Sequence, residues 1–142
     1  MVNGVTQLTW ACRYNLTEQV KEVINNPNFV YQNDQHHPFV EAMYNSNIEI
    51  TQFMLNKLDY KITAKRNLIF RLACKHSTKK YIEYLLTLDT DPADLRHEAA
   101  MNLVCRNDPE LTELLDHPKF VLAKQKKCLC KEIIATGIHE TT

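Results

Sequence analysis

Glycine is scarce in this chain: of 142 residues only Gly4 and Gly137 are Gly. The glycine-rich loops that cradle phosphate groups need several glycines close together, so that class of site is excluded. Neither sign of charge is in excess, with 17 Lys and Arg against 17 Asp and Glu. This balance argues against a protein built chiefly to attract nucleic acid or an anionic membrane, while leaving room for a local basic patch. No apolar run approaches the roughly 20 residues that cross a bilayer. The stretch from Met1 to Trp10 has neither a charged leader nor the apolar core of a signal peptide. Five cysteines is an odd number, and without a secretory signal they read as reduced thiols and not as a disulfide framework. The expectation from these absences is a soluble protein of the cytoplasm or nucleus with no membrane partner. The length fits one domain, residues 1–142, large enough to bury a core without staples.

What the sequence does contain is an internal repeat. Leu8, Phe39, Phe70 and Met101 recur at one constant interval, and Ala11, Ala42, Ala73 and Val104 keep it. Cys12, Met43, Cys74 and Cys105 do so too. Downstream, Val23-Ile24, Met54-Leu55 and Leu85-Leu86 continue the series, and Leu114-Leu115 falls two residues short of it. That shortfall predicts a two-residue loss between the two apolar blocks of the fourth unit. Within each block the apolar residues sit at i, i+3 and i+4, the spacing of one helical face. Thr17, Asn47, Ser77 or Thr78, and Asp108 followed by Pro109 are candidate caps for the second helix of each unit. The units run approximately 5–35, 36–66, 67–97 and 98–120, with a partial fifth over 121–142. A helix pair of this length cannot bury its apolar stripe alone, so the expected fold is an all-α solenoid of stacked helix-turn-helix repeats.

The stretch Asp34-Gln-His-His-Pro38-Phe39-Val40-Glu41-Ala42, followed by Asn45-Ser-Asn-Ile48-Glu49-Ile50, resembles the ankyrin repeat. That family's pattern runs through a turn, Thr-Pro-Leu-His, one or two alanines, a Gly or Asn, and Glu-Ile-Val. Thr6 to Ala11 and Leu68 to Ala73 lie in the same register with weaker matches. The period is shorter than the family's usual one, and Asn33, Asp34 and Asn67 stand in for the missing turn glycines as residues that tolerate a left-handed backbone. The resemblance implies a non-enzymatic scaffold for protein recognition, with contact residues at the turn tips and on the concave, outward side of the first helices. Short proteins of this degenerate type occur in viruses and intracellular bacteria as host-directed factors, so it also implies the host cell cytoplasm as a setting.

Catalytic readings are weaker than core readings throughout. Cys12, Cys74 and Cys105 share one repeat position beside Ala or Val and read as buried core thiols, free of disulfides because the unit spacing exceeds disulfide reach. Cys128 and Cys130 are two apart on a predicted helix and point to opposite sides, so they do not form a metal pair. His36 and His37 read as turn residues. The expectation is therefore no enzyme activity, no cofactor and no metal.

For recognition, the repeat register predicts an exposed line of Arg13, Tyr44, Lys75 and Arg106. Trp10 and Glu41 form a parallel line, Tyr14, Arg71 and His76 flank it, and His36 and Arg66 mark the turn tips. Three cations and one aromatic suit an acidic segment of a protein partner. The alternative is a small phosphorylated ligand, such as a nucleotide, held against the same cations. At the C-terminus, Leu129, Cys130, Ile133 and Ile134 have helical spacing. They predict either a capped monomer or a dimer through exposed Ile134 and Ile138.

Overall fold

The computed structural model describes residues 4–31 and 35–125. Expectations placed on Asn33, Asp34 and the segment 126–142, including Cys128, Cys130 and the C-terminal cap, lie outside the described residues. Within them the ordered structure is all helical, with no strand. The helices are α1 (Gly4–Arg13), α2 (Thr17–Asn25), α3 (His37–Tyr44), α4 (Ile48–Lys57), α5 (Ala64–His76), α6 (Lys79–Leu86), α7 (Asp94–Cys105) and α8 (Pro109–Thr112), which runs into a 3-10 turn (Glu113–Asp116), then α9 (Pro118–Lys124).

Local chemistry starts these helices where it should. Asn47 accepts from the Ile50 amide at 2.9 Å, Thr78 from the Tyr81 amide at 3.2 Å and Asp108 from the Glu110 amide at 3.0 Å. Each satisfies a backbone donor that the first turn leaves without a helical partner. The first unit departs from expectation. The residue preceding α2 is Leu16, which cannot cap, and Thr17 is the first residue of the helix. Thr17 lies one place past the register of Asn47 and Thr78, and its hydroxyl accepts from the Asn47 side chain at 3.3 Å instead.

α1 packs on α3, α3 on α5 and α5 on α7, while α2 packs on α4 and each of α1, α3, α5 and α7 contacts the helix that follows it. The sequence periodicity explains this for three units. Leu8, Ala11 and Cys12, then Phe39, Ala42 and Met43, then Phe70, Ala73 and Cys74, are all buried. The fourth unit corrects the expected register. Met101, Val104 and Cys105 are exposed, and the buried residues of α7 are Ala99 and Leu103. Ala99, Leu103, Leu111 and Leu114 each follow Phe70, Cys74, Ile82 and Leu85 by two positions less than the interval that separates Leu8 from Phe39. The two missing residues therefore precede the core positions of α7 and do not lie between the two blocks. With Ala99 and Leu103 inward, the helical step of about 100° per residue carries Met101 and Val104 outward.

Between units the chain takes left-handed turns. Lys65, Arg66 and Asn67 have φ of 53°, 58° and 60°, and Leu95, Arg96 and His97 have φ of 51°, 57° and 64°. Non-glycine residues resist this conformation by about 1–2 kcal/mol each. The first turn is held by the Arg71 guanidinium, which donates to the carbonyls of Lys65 at 2.9 Å and Arg66 at 2.8 Å. Asn67, buried and left-handed as its residue type suggests, donates to Asp94 at 2.7 Å and accepts from the Asp91 amide at 3.1 Å.

One polar pair lies inside the core: the hydroxyls of Thr51 on α4 and Tyr81 on α6 meet at 2.6 Å, both residues fully buried. Burial raises the Tyr81 phenol far above its usual range, so it stays neutral and the bond is between two neutral groups. Thr51→Val leaves the phenol without its partner and is expected to cost about 1–3 kcal/mol in urea unfolding. Adding Tyr81→Phe should recover most of that loss, because both partners are then apolar.

Candidate binding surface

With the fourth unit read two residues short, three lines run across the outward side of α1, α3, α5 and α7. They are Trp10, Glu41, Leu72 and Met101; Arg13, Tyr44, Lys75 and Val104; and Tyr14, Asn45, His76 and Cys105. Ten of the twelve are exposed; Glu41 and Leu72 are half-buried. Large apolar groups are prominent among them: Trp10 is 58% exposed, Tyr44 51%, Met101 61% and Val104 55%. The opposite sides of the same helices are in the core, so helical geometry and not loose packing puts these side chains in water. The Tyr44 and His76 rings lie 5.2 Å apart across α3 and α5, and the Trp10 and Tyr14 rings meet edge to face at 6.3 Å.

The expected basic line is largely occupied by the protein itself. Arg13 pairs with Glu41 at 3.2 Å. Arg106 is half-buried and donates to the carbonyl of Ser77 at 2.6 Å and to that of Cys74 at 3.4 Å. Its place in the exposed line passes to Val104. Arg71, its side chain 11% exposed, pairs with Glu98 at 3.1 Å in addition to holding the left-handed turn. Both arginines were expected on the outer surface, and both instead supply the extra donors that backbone carbonyls at the turns call for. Lys75 is exposed on the line. At the tips, Arg66 pairs with Asp94 at 3.3 Å, and the half-buried His36 ring lies 4.4 Å from that of exposed His37.

Met101 and Val104 are the surface residues that a uniform repeat register conceals. The signal that reveals them is the Leu114-Leu115 shortfall, once it is carried back into α7. Cys12, Cys74 and Cys105 are free thiols, as expected, but their environments differ. Burial, helped by the Glu41 charge, pushes the Cys12 thiol up to about 12. Burial also raises Cys74, against an opposing effect of Arg106. Both are protonated at neutral pH, the inert form. No helix among the described residues is long and apolar enough to cross a membrane, and none of their His, Cys, Asp or Glu side chains form a group of three able to hold a metal.

No family model, curated protein or solved structure matches this chain.

Two outcomes follow. Arg106→Ala should destabilise the protein by about 1–3 kcal/mol by removing a donor from buried carbonyls, whereas Lys75→Ala should change urea stability by less than about 0.5 kcal/mol. In a Cys128→Ser, Cys130→Ser background, a disulfide reagent should label Cys105 at once and reach Cys12 and Cys74 only as the chain unfolds.

Proposed function

We propose that this chain is an ankyrin-like solenoid that serves, without catalysis, as a scaffold for a protein partner in an intracellular setting, host cytoplasm included. The observation that carries the reading is the row of exposed apolar and aromatic side chains, Trp10, Tyr44, Met101 and Val104, on helices whose inward faces are buried in the core. Such a row is costly to keep in water and is the kind of surface that partner binding covers. Aromatic residues and Met are enriched in interfaces of this sort. The stepwise packing of α1, α3, α5 and α7 supports the solenoid.

The chemistry of the row suits a partner segment with apolar side chains toward both ends and an acidic or hydrogen-bonding group near its middle, opposite Lys75 and His76. A strongly acidic or phosphorylated ligand fits less well, since Arg13, Arg71 and Arg106 already have partners.

Affinity capture with quantitative mass spectrometry tests this, comparing the wild-type chain with a Tyr44→Glu, Val104→Glu double variant. Both changes are at exposed positions and should leave the helical signal intact and urea stability within about 0.5 kcal/mol per site. The expected result is a defined protein captured by the wild type and lost with the variant. A captured set identical for the two would place recognition elsewhere, at the turn tips around His36 and Arg66.

A further inference from the structure

The outer side of α1 and α2, away from α3 and α4, carries a groove of about 470 Å³ lined by Thr6, Gln7, Trp10, Ala11, Tyr14, Leu16, Gln19 and Val23. In the later pairs the positions of Gln7, Ala11, Gln19 and Val23 are core, Ala11 corresponding to the buried Ala42 and Ala73. Gln7 corresponds to Pro38 and Ile69, Gln19 to Ile50 and Tyr81, and Val23 to Met54 and Leu85, all of them buried. What covers them there is the preceding helix pair: Cys12 lies on Met54 at 3.7 Å, and Thr51 on Tyr81 at 2.6 Å. The groove is thus a helix-packing surface of the kind that joins α1 to α3 and α2 to α4, with glutamine at two positions that are apolar in the later pairs.

We propose that a second copy of this chain docks on this face, α1 and α2 against α1 and α2 about a two-fold axis. Three properties of the face point to its own copy as occupant. First, its positions Gln7, Ala11, Gln19 and Val23 are the ones that another helix pair covers in the later units. Second, none of the eight lining residues is charged, although 24% of the chain is. In a two-fold interface the same patch meets itself, so a charged patch would set like charges opposite one another, and a neutral one avoids this. Third, the two substituted positions are amides. A carboxylate only accepts and an ammonium only donates, but an amide does both and so pairs with a copy of itself. Trp10, Tyr14 and Leu16, all exposed, supply the apolar area.

The groove shares Trp10 and Tyr14 with the recognition lines, and the two proposals are told apart by residues that belong to one alone, Gln19 to this face and Tyr44 and Val104 to the row. Sedimentation equilibrium of the full chain over a wide concentration range is the test. The wild type should show a monomer–dimer equilibrium. Gln19→Lys, which opposes two ammonium groups near the axis, should weaken the dimer by at least tenfold, or ~1.4 kcal/mol. Gln19→Leu should tighten it, and Tyr44→Glu should leave it unchanged. Trp10→Ser serves as a second weakening variant should Gln19→Lys alter the helical signal. A wild type that stays monomeric throughout overturns the proposal and leaves the groove to a heterologous helix. A dimer that survives both Gln19→Lys and Trp10→Ser but dissociates with Ile134→Lys overturns it in favour of association through the C-terminal segment.

Discussion

Each of α1, α3 and α5 reaches its C-terminus with carbonyl groups that need donors from outside the helix, and the next helix pair adds side-chain donors to those provided by the amides of the turn that follows. Cys12, Met43 and Cys74 are equivalent positions, one repeat apart in turn. The Asn45 amide donates to the carbonyls of Cys12 at 2.7 Å and Arg13 at 3.0 Å, the Ser77 hydroxyl to that of Met43 at 3.2 Å, and the Arg106 guanidinium to that of Cys74 at 3.4 Å. A helix end is where backbone acceptors outnumber donors, and satisfying it from the neighbouring pair ties the two together at a defined height. The apolar faces can then meet without slipping, because a shift of one residue along a helix, about 1.5 Å, would break the bond. The buried Thr51–Tyr81 contact fixes the other row, α4 against α6, in the same manner.

Much of this was legible in the sequence. The constant repeat interval identifies the buried triplets of α1, α3 and α5 because the same three side chains in each must fit between the same kinds of neighbours. It fails in α7 for a physical reason. Met101, Val104 and Cys105 are apolar enough to pass as core, and apolarity says which residues prefer to be buried without saying which face the helix turns inward. That choice was made by the shorter connection before α7, which advances the inward face to Ala99 and Leu103.

The surface was partly legible for a related reason. Trp10, Tyr44 and Lys75 lie where the helical period puts them. Arg71 and Arg106 do not, since a long cationic side chain is free to fold back onto carbonyls that no sequence pattern advertises. The Arg13–Glu41 pair joins two successive units and depends on the angle at which α1 crosses α3, not on any local spacing. The result is a surface less basic and more apolar than the composition of its sequence lines suggests.

The three junctions also use different chemical groups: a carboxamide, a hydroxyl and a guanidinium. Each is matched to its own acceptors, and α5 is one residue longer at its end than α1 and α3, which brings the Ser77 carbonyl to Arg106. Families of identical repeats lengthen and shorten by copying or deleting a unit, because any unit fits any other. Here the units are keyed. A helix pair moved to another junction would meet acceptors spaced for another donor, so α1, α3, α5 and α7 are not interchangeable in their order.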